Sequence, residues 1–534
     1  MRLEKITIQK YRSIDEISIS FPENKPVVLF GPNNAGKSNI LSAIDRLLGE
    51  RFPPYIEMLE SDYYMRDKDK YPTVSISADF SDVYHVYRAK RYKAITVTYG
   101  YGGKLNENLI HDGAGNKLYI SNEDRVKCQS YFIDAERNIQ SAFNYGSRYS
   151  LLSKFSHKIH TALSNSKKED LTEAFCKIKQ SFEEIPDFQN FFEKFSAVLQ
   201  GAVKGFVHSL AVDFSAYDPN NYAKSMRIYA RDGVNVRSFE EFGTGEQQVL
   251  LMAFVKAYME IFTNEKFVLI IEEPEAHLHP LAQKWLKEYI SEMCSNGIQV
   301  IVSTHSADFI DAEYLEGLVR VYKENGITKT VQLSKEDLCS FCIRSGVPAE
   351  IASSATIDDF YSTKIFEDQL RGMFAETVIL VEGATEQFAF PIYLKRIKFS
   401  LAEHGIEIVN CRGKNNIPLL WRLFSAYKYK CYFIFDSDAK ANENEKIFNG
   451  IITASSWETA HDRYVMTDQY AYFGIDFERY FRVAIPEYSL LEQECVNKYH
   501  IVSKQGKAKG VAQHCKKIPE FIAELKEKLE KYNQ

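Results

Sequence analysis

No stretch of this chain approaches the ~18–20 consecutive apolar residues that a membrane-spanning helix requires, and the opening MRLEKITIQKYRS lacks the apolar core of a secretion signal. Excess positive charge is also missing: 66 Lys+Arg against 72 Asp+Glu leave a net charge of −6. The overall field therefore repels nucleic acid, and any contact with DNA has to come from local basic surface. Zinc-site cysteine spacing is absent too. Nine cysteines are scattered, and the CxxC from Cys339 to Cys342 has no second pair. Reduced thiols in a cytoplasmic protein are the expectation. There is no internal repeat and no low-complexity tract. What remains is a 534-residue chain, 45% hydrophobic and 26% charged, an ordinary globular composition with room for about two to four domains.

The texture changes along the chain. LEKITIQKYRSIDEISISF alternates at period two, PVVLF is a short buried strand, and KSNILSAIDRLLG has helical spacing. Residues 51–135 look β-rich, with glycine turns at YGYGGK and HDGAGNK. A helical excursion follows over 146–210, broken at Pro186, and strands alternate with helices again over 211–335. A polar helical bridge over 336–370 leads into a second α/β unit that runs over 371–534.

The first chemistry lies in LFGPNNAGKSNIL. Gly31, Asn34, Gly36, Lys37 and Ser38 fall in a G-x-x-x-x-G-K-[ST] pattern after a buried strand and at the start of a helix. Glycines there let backbone amides close around phosphates. Lys37 would reach the β- and γ-phosphates, and the Ser38 hydroxyl would ligate Mg²⁺. A loop that kept its shape and lost hydrolysis is the bland alternative. KFVLIIEEPEAHLHP ends a strand at Glu272, suited to the Mg²⁺ shell, and Glu273, suited to orienting or deprotonating the attacking water. EFGTGEQQ sets Gly243, Gly245, Glu246 and Gln247 at a helix start, and VIVSTHS ends a strand at His305, a γ-phosphate contact. YFIDAERNI offers Glu136 and Arg137 as lid contacts.

Taken in order, these segments resemble the ABC ATPases of the SMC/RecF-like group: Walker A, signature, Walker B with a D-loop from Glu275 to Pro280, and a switch histidine. FGTGEQQ departs from the usual LSGGQ, and Glu272 stands where most ABC proteins carry Asp. Both departures fit one branch of that group. In the family, the signature of one head covers ATP held by another, so the resemblance implies a homodimer or higher homo-oligomer. The 146–210 arm is the expected contact surface, with a partnerless solvated excursion as the alternative.

The second chemistry begins at ETVILVEGATEQFAF, a strand that stops at Glu382 and Glu386. A later strand, KCYFIFDSDAK, ends at Asp436 and Asp438, and IVNCRGKNNI between them offers Arg412, Gly413 and Lys414. Parallel strands that deliver carboxylates at their C-terminal ends bring them to one sheet edge. Clustered carboxylates are costly unless a hard cation neutralises them, which points to Mg²⁺ or Mn²⁺. The alternative is a set of solvated strand ends.

The E-G, G-K, D-x-D series resembles the Toprim fold. Behind an ABC head it resembles the overcoming-lysogenization-defect (OLD) family nucleases over nearly the whole chain. That resemblance implies an α/β ABC-type head with a helical insertion, joined to a mostly parallel Toprim domain. By this reading 1–145 and 211–335 are the two ATPase lobes, 146–210 the insertion, 336–370 a linker and 371–534 the nuclease domain. It also implies ATP-regulated, two-metal DNA cleavage in an anti-phage effector. Its partners would be DNA and a defence component such as a helicase, or a retron reverse transcriptase with its DNA–RNA product. Glu478, beside Asp476, would join the metal ligands. Lys509, or else Lys507, would match the family's phosphate-touching lysine within the basic stretch of Lys504, Lys516 and Lys517. A non-cleaving ATP-dependent scaffold, sensor or repair mediator is the rival reading. Topoisomerase chemistry lacks a further DNA-binding module, and RecF-like repair without cutting gives the second acidic cluster no role.

Overall fold

The computed structural model describes residues 1–49, 51–87, 89–100, 108–134, 151–187, 189–190, 193, 229–232, 235–238, 241–262, 266–452 and 463–533. Contacts divide the chain into two compact units, Met1–Ala135 with Glu265–Gln534, and Glu136–Asn264.

The larger unit holds two principal sheets. The first contains β1 (Leu3–Tyr11), β2 (Ile14–Ser20), β3 (Val27–Phe30), β4 (Val74–Phe80), β5 (Ala94–Tyr99), β6 (Asn108–His111), β7 (Cys128–Ile133), β8 (Lys266–Glu272), β9 (Gln299–Thr304), β10 (Leu318–Glu324) and β11 (Ile327–Gln332). Their order across the sheet is β6-β5-β4-β1-β2-β11-β10-β3-β9-β8-β7. The two halves differ as their sequences require. β1, β2 and β4 alternate and pair antiparallel, with Ile6, Ile8, Ile17, Ile19, Ile76 and Ala78 turned into the core. β3, apolar throughout, and β9, polar only at Gln299, Ser303 and Thr304, are buried along their whole length and pair in parallel with each other, as do β8 and β9. Helix α1 (Lys37–Leu48) lays Ile40, Leu41, Ile44 and Leu47 into the same core.

The second sheet contains β12 (Thr377–Val381), β13 (Ile406–Asn410), β14 (Lys430–Asp436), β15 (Tyr464–Met466) and β16 (Tyr470–Phe473), ordered β13-β12-β14-β16-β15. All its ladders are parallel except the antiparallel edge pair β15–β16. Helices α2 (Ala384–Arg396), α3 (Ile417–Ala426), α4 (Phe477–Ala484), α5 (Lys504–His514) and α6 (Glu520–Asn533) flank it. An aromatic group fixes two of them: Phe477 stacks on Phe481 at 4.1 Å and lies 5.7 Å from Phe390. This anchors the helix starts that carry Glu386 and Glu478.

Within the smaller unit, the described helices of the insertion are Leu151–Ala162 and Asn165–Glu183, and a hairpin pairs Tyr229–Asp232 with Asn235–Ser238. The helix Thr244–Phe262 carries the FGTGEQQ segment at its start, and its Phe254 meets Phe155 edge-on at 5.7 Å. Glu136 and Arg137 lie outside the described residues. No helix among the described residues is long and apolar enough to cross a membrane.

Candidate nucleotide and metal sites

The P-loop connects β3 to α1. Its shape depends on glycine at two points. A Cβ on Gly31 (φ +145°) would stand 2.0 Å from the Val321 carbonyl oxygen, and one on Gly36 (φ +112°) would stand 2.2 Å from Thr328 Oγ1. Asn34 also takes a left-handed conformation, φ 62°. Lys37 is buried and donates to the carbonyls of Gly31 at 2.9 Å and Pro32 at 3.1 Å, so its ammonium lies within the loop. Burial pulls Lys37 down to about 8, against the opposing pull of Glu273, Glu275 and Glu272. Ser38 Oγ donates to Glu272 Oε1, which joins the two expected Mg²⁺-shell groups directly. His305 Nε2 is 3.5 Å from Glu273 Oε1, and the His305 amide donates to Glu275 Oε1 at 2.5 Å. Glu275, expected only as part of the D-loop, is thus the brace beneath His305; burial raises its pKa.

Gly243, Gly245 and Glu246 belong to the other unit. There the Gly243 amide donates to Glu246 Oε2 at 3.2 Å, so Glu246 caps its own helix.

The parallel ladder of the second sheet sets Val381 beside Ile434, and the residues that follow each strand meet at one edge. Glu382 Oε2 accepts from the Asp436 amide at 3.1 Å, although 54 positions separate them. Asp436 Oδ1 accepts from the Phe477 amide at 2.9 Å, which brings in the start of α4. One turn into α2, Glu386 accepts from the Gly383 amide at 3.2 Å. Glu386 and Glu478 are 5% and 9% exposed. Burial first, then Glu382 and Glu478, push Glu386 up to about 7. Burial, reinforced by Glu386, Glu382, Glu478 and Asp476, raises Asp436 well above the usual carboxylate range. Burial also raises Glu382.

Two lysines enter this cluster. Lys414 is buried and donates to the Asp436 carbonyl at 2.7 Å and to Asp438 Oδ2 at 2.6 Å. Lys504 Nζ lies 2.9 Å from Glu478 Oε1, an ion pair bent away from hydrogen-bond geometry. Lys509 is exposed on the same helix and Lys507 is half-buried. Five positions separate Lys504 from Lys509, a rotation of about 140° at 3.6 residues per turn. Lys504 is therefore the lysine of this helix seen to meet the acids, and Lys509 is turned away from it. Asp476 caps α4 by accepting from the Arg479 amide at 2.7 Å.

Among the described residues, no three His, Cys, Asp or Glu side chains are already drawn to the spacing of ligands on one ion. Glu382, Glu386 and Asp436 each have an oxygen committed to a backbone amide. The donor set nevertheless fits hard divalent cations. It is all oxygen, it has more acids than lysines, burial and mutual repulsion raise Glu386 and Asp436, and Glu478 Oε1 is buried without a well-formed hydrogen bond. Glu382, Glu386, Asp436, Asp438 and Glu478 are the residues able to hold such ions.

A nucleotide-binding head followed by a carboxylate-edged parallel sheet defines an ATPase joined to a Toprim domain. Residues 1–125 and 104–310 match the AAA ATPase domain family, and residues 373–438 match the family described as overcoming lysogenization defect protein-like, TOPRIM domain. The chain belongs to the AAA ATPase domain family, and its residues 373–438 are similar to the OLD-like Toprim domain. It is 22% identical over 449 residues to the OLD nuclease of Thermus scotoductus, a match covering 82% of each chain. It is 29% identical over 217 residues to the Old nuclease of Escherichia phage P2, across 39% of this chain and 35% of that one. Among solved structures, an SMC head bound to the C-winged helix domain of ScpA aligns with TM-score 0.41 and 20% identity over 62% of this chain and 98% of that one, a likeness too loose to carry weight.

Proposed function

We propose that this chain is a divalent-metal-dependent DNA endonuclease whose ATPase domain regulates cleavage at the Toprim site. The observation that carries the reading is the Glu382–Asp436 contact, with Glu386 and Glu478 buried beside it, in one chain with a P-loop. Glu382, Glu386, Asp436, Asp438 and Glu478 would hold the ions, whose chemistry there would be activation of a water and neutralisation of the leaving oxygen. Lys504, in place of Lys509, meets the charge that develops on the scissile phosphate. Lys414 holds Asp438 against the end of its strand. At the other site Lys37 would take the ATP phosphates, Ser38 and Glu272 would hold Mg²⁺, Glu273 would orient or deprotonate the attacking water, and His305 would touch the γ-phosphate. Gly243, Gly245 and Glu246 would cover ATP held by a second copy, which makes the working form a homodimer or larger, with 146–210 as contact surface. The domain limits given above, a cytoplasmic setting and a role as an anti-phage effector, with a helicase or reverse-transcriptase partner, belong to the same proposal.

The test is incubation of supercoiled and linear DNA with Mg²⁺ or Mn²⁺, with and without ATP, comparing wild type with Asp436→Ala. Cleavage lost only in the variant supports the reading. A wild type that binds ATP and cuts nothing supports the scaffold or sensor alternative.

A further inference from the structure

We infer that Arg320 is a positioning residue through which the nucleotide-binding strand sets the geometry of the Toprim acids. This rests on the ATP-regulated nuclease reading and names the part that performs the regulation.

On the ATPase side, β10 runs parallel to β3 with Arg320 directly opposite Phe30, the last residue before the P-loop. The next residue of β10, Val321, is the one against which Gly31 packs too closely to admit a Cβ. The P-loop backbone and Arg320 are therefore one residue apart on adjoining strands, and a shift of the loop is felt by β10 first.

On the Toprim side, Arg320 is 8% exposed, and both of its hydrogen bonds cross to the second domain. Its Nη1 donates to the carbonyls of Tyr427 at 2.9 Å and Lys428 at 2.7 Å, and its guanidinium lies 3.6 Å from the centroid of the Tyr429 ring. Those carbonyls end α3, where a cation is favoured by the helix dipole. Phe30 reinforces the junction, meeting Tyr427 and Phe374 edge-on with centroids 6.2 Å away in both cases. The Tyr427 hydroxyl donates back to the Leu315 carbonyl at 2.9 Å.

Residues 427–429, gripped in this way, are the link between α3 and β14. That helix–strand pair is tied at its opposite end as well, because Lys414, just before α3, bonds the Asp436 carbonyl and the Asp438 carboxylate at the end of β14. Closed at both ends, segment 414–438 is a stiff lever roughly 15–23 Å long, by the rise of a ten-residue helix and a seven-residue strand. Arg320 holds one end and the catalytic carboxylates stand at the other. A small displacement of β10 against the P-loop moves Asp436 and Asp438 as a body relative to Glu382, just past β12, and Glu386, on α2.

The test is hydrogen exchange by mass spectrometry on the full chain, with and without a non-hydrolysable ATP analogue and Mg²⁺, in wild type, Arg320→Met and Arg320→Lys. In wild type the analogue should change exchange of peptides spanning 427–438 by at least about fivefold, the low end of allosteric coupling. Arg320→Met should lose that response while binding the analogue with near-normal affinity. Arg320→Lys keeps the charge but loses the planar guanidinium that lies on the Tyr429 ring, and should fall between the two. If Arg320→Met does not fold, the lysine variant decides: a wild-type response in it overturns the inference. So does a wild type in which nucleotide leaves 427–438 unchanged. A wild type that shows the exchange response but cuts no DNA removes the nuclease reading and leaves the Arg320 link standing.

Discussion

At the P-loop Lys37 is buried and Glu273 stands at the rim; at the Toprim edge Glu386 and Glu478 are buried and Lys504 stands at the rim. Lys37 is 6% exposed while the Glu273 side chain is 40% exposed. Glu386 is 5% exposed while the Lys504 side chain is 63% exposed. Burial disfavours the charged form in both places, so it lowers Lys37 to about 8 and raises Glu386 to about 7. The first site is suited to anionic phosphates with one cation at the rim, the second to cations with an anionic phosphate at the rim. A nucleotide and a metal-bound DNA backbone call for these opposite designs.

The largest effect is expected from the buried acids. Asp436→Asn removes a ligand charge and should lower the cleavage rate about 10³-fold, the several kcal/mol that metal stabilisation is worth. ATP affinity should be unchanged. A parallel loss of ATP binding would show that the two sites fail together and that the contrast between them is not functional. Next comes the rim lysine. Lys504→Ala should cost about 10²-fold in rate, as loss of one transition-state charge partner does, with Lys509→Ala near wild type and Lys504→Arg partly active. The reverse ranking of the two alanine variants would return the role to Lys509. Lys37→Ala should weaken ATP binding about 10–100-fold, the loss of charge-assisted hydrogen bonds. It should abolish any ATP effect on cleavage while leaving Mn²⁺ binding at the Toprim site intact.

How far each site can be read from sequence follows from how local its determinants are. The P-loop is eight consecutive residues whose order dictates the backbone path, so Lys37 and Ser38 can be placed without coordinates. The strand-end acids are legible because apolar runs such as TVILV and CYFIF announce parallel strands, and Asp436 and Glu382 must then share an edge. Lys504 is harder. Its orientation depends on Ser503 capping α5, with Ser503 Oγ accepting from the Gly506 amide at 3.2 Å, and that phase decides which lysine turns inward. Glu386 and Glu246 show the limit of motif reading. Both sit in a G-x-x-E-Q helix start and both cap their own first amide, yet only Glu386 is buried among other acids. Arg320 could not be found at all, because nothing in LVRVYKE marks it and its partners lie 107 and 108 positions away.

The smallest predicted effect tests the electrostatic half of the comparison without DNA or nucleotide. Glu386 and Asp436 titrate above their ordinary values in the folded chain, Glu386 at about 7. A carboxyl group with a raised folded-state pKa favours the fold fully below its unfolded value, near pH 4, and that contribution is lost as pH rises through the folded value. With chelator present, Tm should therefore fall between pH 5.5 and pH 8 by roughly a few degrees, the scale of about one to two kcal/mol in a chain of this size. Divalent ions bind the deprotonated acids and compete with the same protons. Added Mg²⁺ or Mn²⁺ should accordingly raise Tm more at pH 8 than at pH 5.5, by mass action on the folded state. Glu386→Gln should flatten the chelator profile and shrink the metal shift, whereas Glu273→Gln, at the exposed rim of the other site, should leave both alone. Equal pH slopes in wild type and Glu386→Gln would locate the titrating group elsewhere, and the buried-acid account of the Toprim edge would lose its support.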